Sequence, residues 1–281
     1  MKLGMRAEKR VSKVVLWVLL AIVLLIVLFP IYWMLLTGIK PNKELYLPEP
    51  TLWTANPTLD HMFNLFKITP YAVQARNSIV VASVTTSLAI LVSMLAGYSL
   101  SRLHYRGRDV MASAIFFVYL IPGTLTIIPL YVFMNQLGLL NSLAVLIVAS
   151  LAFTIPFCTW MLKGYFTTIP MELEDAALID GCTRLQALFH VILPLAAPGI
   201  VASGIFAFTL SWNEFLLPLL FNNKRELWTL PVGIQTLIYG DVYMWGEIMM
   251  GAFLMSIPVL LLYTVSQRFV VTGLTAGAVK G

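Results

Sequence analysis

Four carboxylates, Glu172, Glu174, Asp175 and Asp180, crowd into nine residues of a chain in which only 11% of residues are charged. Upstream, no Asp, Glu, Lys or Arg occurs between Asp109 and Lys163. Clustered acids can move protons, hold a cation or cap a helix. The first two uses need company that is absent here. The three histidines, His61, His104 and His190, are scattered, and Cys158 and Cys182 show no metal-ligand spacing with them. The local pattern favours the third use. Pro170 followed by Met171-Glu172-Leu173-Glu174-Asp175 starts a helix whose first-turn carboxylates face the positive end of the helix dipole. Ala176 and Ala177 leave one side nearly bare, and Gly181 stops the helix in the left-handed cap conformation that glycine tolerates. Leu185, Leu188, Phe189 and Ile192 suggest a second short helix, ended by Pro194 and Pro198. A small projecting helix with little bulk in its middle suits docking into a groove on another protein. A helix lying on an anionic membrane surface would instead present a basic polar face, and this one is acidic.

The elements that must position this hairpin are membrane helices. The chain is 59% hydrophobic, with a mean hydropathy of +0.88. Val14 to Leu36, Asn77 to Ser101 and Ile248 to Gln267 are free of charge. Each reaches the roughly 20 residues that cross a hydrocarbon core as a helix. Barrel strands would alternate, and these runs do not. The expectation is an all-α polytopic membrane protein with six transmembrane helices, at about 14–36, 78–101, 110–134, 143–163, 197–220 and 248–267. Asn135 to Ser142 breaks the uncharged stretch into two spans, and segment 164–196 is a loop. The first run lacks a small-residue cleavage site and is read as a retained helix. With the N-terminus inside, twelve of the 18 Lys and Arg residues fall in cytoplasmic segments, so both termini are cytoplasmic. The net charge of +5 therefore reports topology rather than nucleic acid. The outer loop of about 37–77 has two equal readings, a partner-facing surface and a solvated connector. Trp228, Tyr239, Tyr243 and Trp245 in the second outer loop read as interfacial anchors.

The hairpin carries a resemblance. Asp175-Ala176-Ala177, three residues, Gly181, nine residues, Val191, then Leu193-Pro194 resembles the EAA loop of ATP-binding-cassette importer permeases, with Asp for Glu and Val for Ile. The stretch from Ile169-Pro170 to Asp180-Gly181 is similar to the carbohydrate-uptake branch, in the manner of the maltose-type second permease subunit. So are SLSRLHYRGRD (99–109), SWNEFLLPL (211–219), TLPVGI (229–234) and GLTAGAVKG (273–281). The resemblance implies a type I importer permease fold in a bacterial or archaeal plasma (inner) membrane. It implies that Glu174, Asp175, Ala176, Ala177, Asp180, Gly181, Leu193 and Pro194 dock a cytoplasmic ATPase, with Gly277 to Gly281 as a further contact. The implied partners are a second homologous permease forming a heterodimer, two copies of the ATPase, an extracytoplasmic solute-binding protein, membrane lipid and a sugar or polyol. No cofactor is expected on this chain. It has no GxxxxGK[ST] phosphate loop, so ATP is used by the partner ATPase and the chain is no enzyme by itself.

Polar groups within spans are functional candidates by default. Glu214 is the only acid inside an expected span, and with Trp212, Asn213 and Tyr119 it could line a sugar path. Alternatively, Glu214 lies near the end of its helix and pairs outside the hydrocarbon. Thr124 and Thr126 around Pro122, and Thr154 and Thr159 around Pro156, mark candidate broken helices. Ala89, Ser93, Gly97 and Ser101 recur every four residues as a stripe for close helix packing. A secondary transporter or channel is the alternative function. It would usually show an inverted repeat or several buried ionisable residues at mid-membrane, and neither is evident.

Overall fold

The computed structural model describes the backbone of residues 2–240 and 242–278 and the side chains of 13–240 and 242–267. The side chains of residues 1–12 and the contact expected at Gly277 to Gly281 lie outside the described residues. Helices α1 (Lys2–Ile39), α2 (Asn42–Leu45), α3 (Asp60–Ile68), α4 (Tyr71–Arg102), α5 (Arg108–Leu120), α6 (Gly123–Gln136) and α7 (Leu143–Thr167) make up the first part of the chain. After them come α8 (Met171–Ile179), α9 (Arg184–Ala187), a π-helical turn (Leu188–Ile192), α10 (Leu193–Leu195) and α11 (Ala197–Trp212). The chain continues with α12 (Leu216–Phe221), α13 (Leu230–Gln235), a two-stranded antiparallel ribbon of β1 (Ile238–Tyr239) and β2 (Val242–Tyr243), and α14 (Trp245–Ala278).

Among the described residues, four helices are long and apolar enough to cross a membrane unaided: Lys13–Ile39, Tyr71–Arg102, Leu143–Thr167 and Trp245–Gln267. Two bent pairs, Arg108–Leu120 with Gly123–Gln136 (99°) and Arg184–Leu195 with Ala197–Trp212 (79°), bring the count to six if each pair is one span. The stretches 110–134 and 197–220, expected as continuous, are therefore interrupted. Pro122 breaks the first: its ring disfavours the helical conformation at Ile121, which takes an extended one. The second stops at Trp212 and restarts at Leu216. Pro156, in contrast, lies inside an unbroken α7. Pro194 does not end the second hairpin helix either. A π-helical turn precedes it, and the helix runs on to Leu195.

The chain forms two compact units. In the unit made of residues 1–69 and 234–256, most of α1 presents apolar side chains outward, as a lipid-facing helix does. Among its described side chains, only those at the C-terminal end are buried, at Leu36 and Thr37, followed by Lys40. Segment 40–68, expected as part of an outer loop, folds back onto this end. The Thr58 amide donates to the Ile39 carbonyl at 2.8 Å, and the Lys40 ammonium donates to the Thr51 carbonyl. The segment is thus more structured than a solvated connector, although Trp53 remains exposed. His61 is the buried centre of α3. Its Nε2 lies 2.9 Å from the Lys40 carbonyl and its Nδ1 lies 3.1 Å from a Glu247 carboxylate oxygen. Both ring nitrogens face acceptors, so the ring is best satisfied as the imidazolium.

The second unit, residues 70–233 and 257–281, is built around α4 and α7, which pack along their lengths, with α11 against both. The small-residue stripe explains the approach. Ala89, Ser93 and Gly97 are buried, and the Ser93 hydroxyl donates to the Ile155 carbonyl while accepting from Thr159. A Cβ on Gly97 would sit 3.1 Å from the Lys163 nitrogen and 3.3 Å from the Leu162 Cβ. Two apolar clusters complete the unit. One joins Val81, Met134, Val145, Leu146, Ala149, Leu217 and Phe221; the other joins Tyr98, Leu162, Phe166, Ile169, Leu188, Ile192 and Ala196. Residues 222–230 fold back on α4, where the Asn77 amide donates to the carbonyls of Glu226 (2.7 Å) and Trp228 (3.0 Å). Trp228 spends its indole N–H on the Asn222 carbonyl within that loop.

Two outcomes follow from this packing. Gly97→Leu forces α4 and α7 apart and lowers stability by about 1–3 kcal/mol, the usual range for overpacking, as read by thermal unfolding in detergent. The hydrogen bond and charge of Glu247 hold the His61 imidazolium above its ordinary value of 6.5, against the opposing pull of burial. A raised folded-state pKa gives stability that is full below the unfolded value and fades as pH rises through the folded one. Unfolding temperatures measured from about pH 6 to pH 9 should show that decline in the native chain and lack it in His61→Gln.

Candidate docking hairpin and transport cavity

Helix α8 begins after Pro170 in an extended conformation, with Glu172 and Glu174 in its first turn. It ends in a Schellman cap. The Cys182 amide donates to Ala177 (3.0 Å), the Gly181 amide donates to Leu178 (3.1 Å), and Gly181 takes φ +92°. Thr183 then opens α9 with a capping box, its hydroxyl accepting from the Gln186 amide while the Gln186 side chain accepts from the Thr183 amide. Both termini of the turn are thus satisfied locally, so its shape does not depend on a partner.

The helical period divides the candidate docking residues. Asp175, Ala176, Asp180 and Gly181 are exposed, Leu193 is half-buried and Pro194 is exposed. Glu174 and Ala177 turn inward instead, at 1% and 8% exposure. The outer face carries apolar residues that composition alone did not single out. Ile179 is 86% exposed, and Leu173, Leu185 and Phe189 are also exposed. Isoleucine so open at a helix end, flanked by Asp180 and Asp175, makes a mixed apolar and acidic surface of the kind that partners cover.

Glu174 enters a polar cluster at the ends of α4 and α7. Tyr98 donates to one of its oxygens at 2.6 Å, and the Arg102 Nε lies 3.7 Å from the other, within ion-pair distance but beyond a hydrogen bond. Arg102 also donates to the carbonyls of Phe166 (2.6 Å), in the last turn of α7, and Ile169 (2.7 Å), just beyond it. Arg102 is 3% exposed. Removing one partner of such a buried pair generally costs about 3–5 kcal/mol. Sequence reasoning counted Arg102 as a topology charge and as part of SLSRLHYRGRD (99–109), and gave it no partner. The available signal was its spacing four residues after Tyr98, which puts both on one face of α4.

The second site lies within the same unit, beside the interruptions in the helices. A cavity of about 670 Å³ is lined by Tyr119, Thr124, Thr126, Phe153, Phe206 and Glu214, among other mostly apolar residues. Tyr119 packs against Phe157 (centroids 5.4 Å apart), which stacks on Phe206 at 3.6 Å. Two of the four residues expected along a path, Tyr119 and Glu214, therefore meet at one cavity. Trp212 does not join them. It is buried and stacked on Phe208, away from the lining. Asn213 is exposed and donates to the Thr209 carbonyl at 2.9 Å. Glu214 has a local task as well. One carboxylate oxygen accepts from the amides of Leu216 (2.9 Å) and Leu217 (3.1 Å), restarting the helix after the break.

Residues 89–275 match the family described as binding-protein-dependent transport system inner membrane component. The chain belongs to this family. It is a multi-pass transport permease of the inner membrane. The chain is 37% identical over 276 residues to the inner membrane ABC transporter permease protein YcjP of Escherichia coli (strain K12), covering 98% of this chain and 99% of that one. It is 42% identical over 254 residues to the sulfoquinovosyl glycerol transport system permease protein SmoH of Agrobacterium fabrum, covering 90% and 89%. Its fold is similar to a chain of a bacterial ABC transporter involved in the import of alginate, with a TM-score of 0.78 and 23% identity, over 93% and 97% of the two chains.

The cap on α12 gives this permease a measurable signature. Glu214→Ala removes the acceptor from two amides and should lower stability by about 1 kcal/mol, as loss of a capping side chain does. Glu214→Gln keeps an acceptor oxygen and should lose less, with thermal unfolding as the measurement.

Proposed function

We propose that this importer permease carries a carbohydrate or related polyol by alternating access, driven by ATP hydrolysis on a separate subunit. The family description supports dependence on an extracytoplasmic binding protein. The name of the Agrobacterium relative supports a sugar-derived cargo. The cavity supports it chemically. Aromatic faces at Tyr119, Phe153 and Phe206 suit the C–H faces of a sugar ring, and Thr124, Thr126 and Glu214 offer hydrogen bonds to its hydroxyls.

The observation that carries the coupling part of this reading is the outer face of α8. Exposed Ile179, Asp175, Ala176 and Asp180 project from a turn whose own backbone groups are already satisfied. A surface so built is available to seat in a cleft of a cytoplasmic ATPase, two copies of which would serve this chain and a second homologous permease. The chain binds no cofactor in this scheme, and ATP stays on the ATPase. The cargo is selected by the external binding protein before it reaches the cavity.

Ala176→Arg and Ile179→Asp place bulk and charge on the docking face without touching the buried side of α8. In membranes that still hold normal amounts of the permease, each should lower uptake about tenfold or more, and less ATPase should co-purify; a tenfold change corresponds to about 1.4 kcal/mol of lost docking energy. Undiminished uptake in both variants would remove the docking reading. A ligand-binding screen of sugars and polyols on the partner binding protein tests the cargo class.

A further inference from the structure

A docking helix can move a membrane span only if something stiff joins the two. We propose that Tyr98, Arg102 and Glu174 form that joint, a set of positioning residues that delivers displacement of α8 to the cytoplasmic end of α4. This rests on the reading of α8 as the ATPase-docking helix.

Glu174 stands one residue before exposed Asp175 in the same helical turn, so a force on the outer face reaches its backbone directly. Its side chain points the other way and is 1% exposed, held by the Tyr98 hydroxyl at 2.6 Å and faced by Arg102 at 3.7 Å. Tyr98 and Arg102 both belong to the last turns of α4. The Tyr98 hydroxyl also lies 3.4 Å from the Arg184 carbonyl, and Arg102 ties in the end of α7 through Phe166 and Ile169. Four elements thus converge on three side chains. Apolar contacts can slide past one another at little cost, whereas a buried charge drawn away from its partner is left uncompensated. The joint therefore resists shear more than the neighbouring hydrophobic cluster does. On one flank it opens onto a pocket of about 450 Å³ lined also by Leu103, His104, Asp175 and Arg184. On that flank Arg102 also reaches α8 at the Met171 sulfur, 3.1 Å from its Nη1, so polar contacts from α4 carry load there.

Tyr98→Phe and Glu174→Gln each remove part of the joint while keeping its shape, and the double variant removes the hydroxyl and the charge together. The experiment uses the whole complex in proteoliposomes, with ATPase subunits and loaded binding protein, and reads cargo molecules moved per ATP hydrolysed. The joint predicts that this ratio falls at least about fivefold in the double variant while the ATPase co-purifies as in the native complex. A purely structural role would lower both rates together and leave the ratio unchanged, which overturns the proposal. Loss of the ATPase from the double variant also overturns it, because the residues would then only shape the docking surface. Ile179→Asp, run alongside, separates the two claims. If that variant keeps its ATPase and its uptake, the docking reading fails; if it loses them and the ratio in the double variant stays native, only the joint fails.

Discussion

Hydrocarbon offers a backbone amide no partner, and this constraint organises the whole permease. Every span must satisfy its own N–H and C=O groups, which dictates helices, and each interruption must find substitutes nearby. The substitutes are visible. After α11, the Glu214 carboxylate takes the amides of Leu216 and Leu217, and the Asn213 side chain takes the Thr209 carbonyl. The bend at Pro122 and the break at Asn213 border one cavity, so the places where the helical rule is relaxed are also where polar groups gather around a space.

Charge follows the same logic. Arg102 and Glu174 are buried, yet they lie at helix ends, where backbone carbonyls and a tyrosine hydroxyl complete their surroundings. His61 and Glu247 repeat the arrangement in the other unit, with the Lys40 carbonyl as third member. Neither cluster occupies the middle of an unbroken span, where an ion would have no such company. The middle of α4 is held by smaller means. Ala89 and Gly97 permit contact, and Ser93 and Thr159 add hydrogen bonds across the α4–α7 seam.

Much of this was legible in the chain because it depends on neighbours within one helical turn. Long uncharged runs announced spans, the four-residue repeat of small side chains announced the α4 seam, and Pro170 with Gly181 bracketed α8. Proline was a poorer guide. Pro122 bends its segment and Pro156 does not, because α7 is packed along its length by α4 and α11 and its neighbours tolerate one missing amide. Pro194 was read as a stop, yet a π-helical turn accommodates it. Sequence periodicity identified the acids of the hairpin but not their directions.

By itself, the sequence determined the class of protein, the helical period, the caps of the hairpin and the face on which small residues line up. These are local consequences of side-chain size, charge and backbone preference. Only the tertiary structure decided that Glu174 faces inward while Asp175 faces out, that Tyr119 shares a cavity with Glu214 while Trp212 does not, and that His61 meets Glu247. Each of those outcomes depends on residues distant in the chain, as Tyr98 and Glu174 are at 76 positions apart. A contact of that kind is set by how whole helices pack, and no short window of residues encodes it.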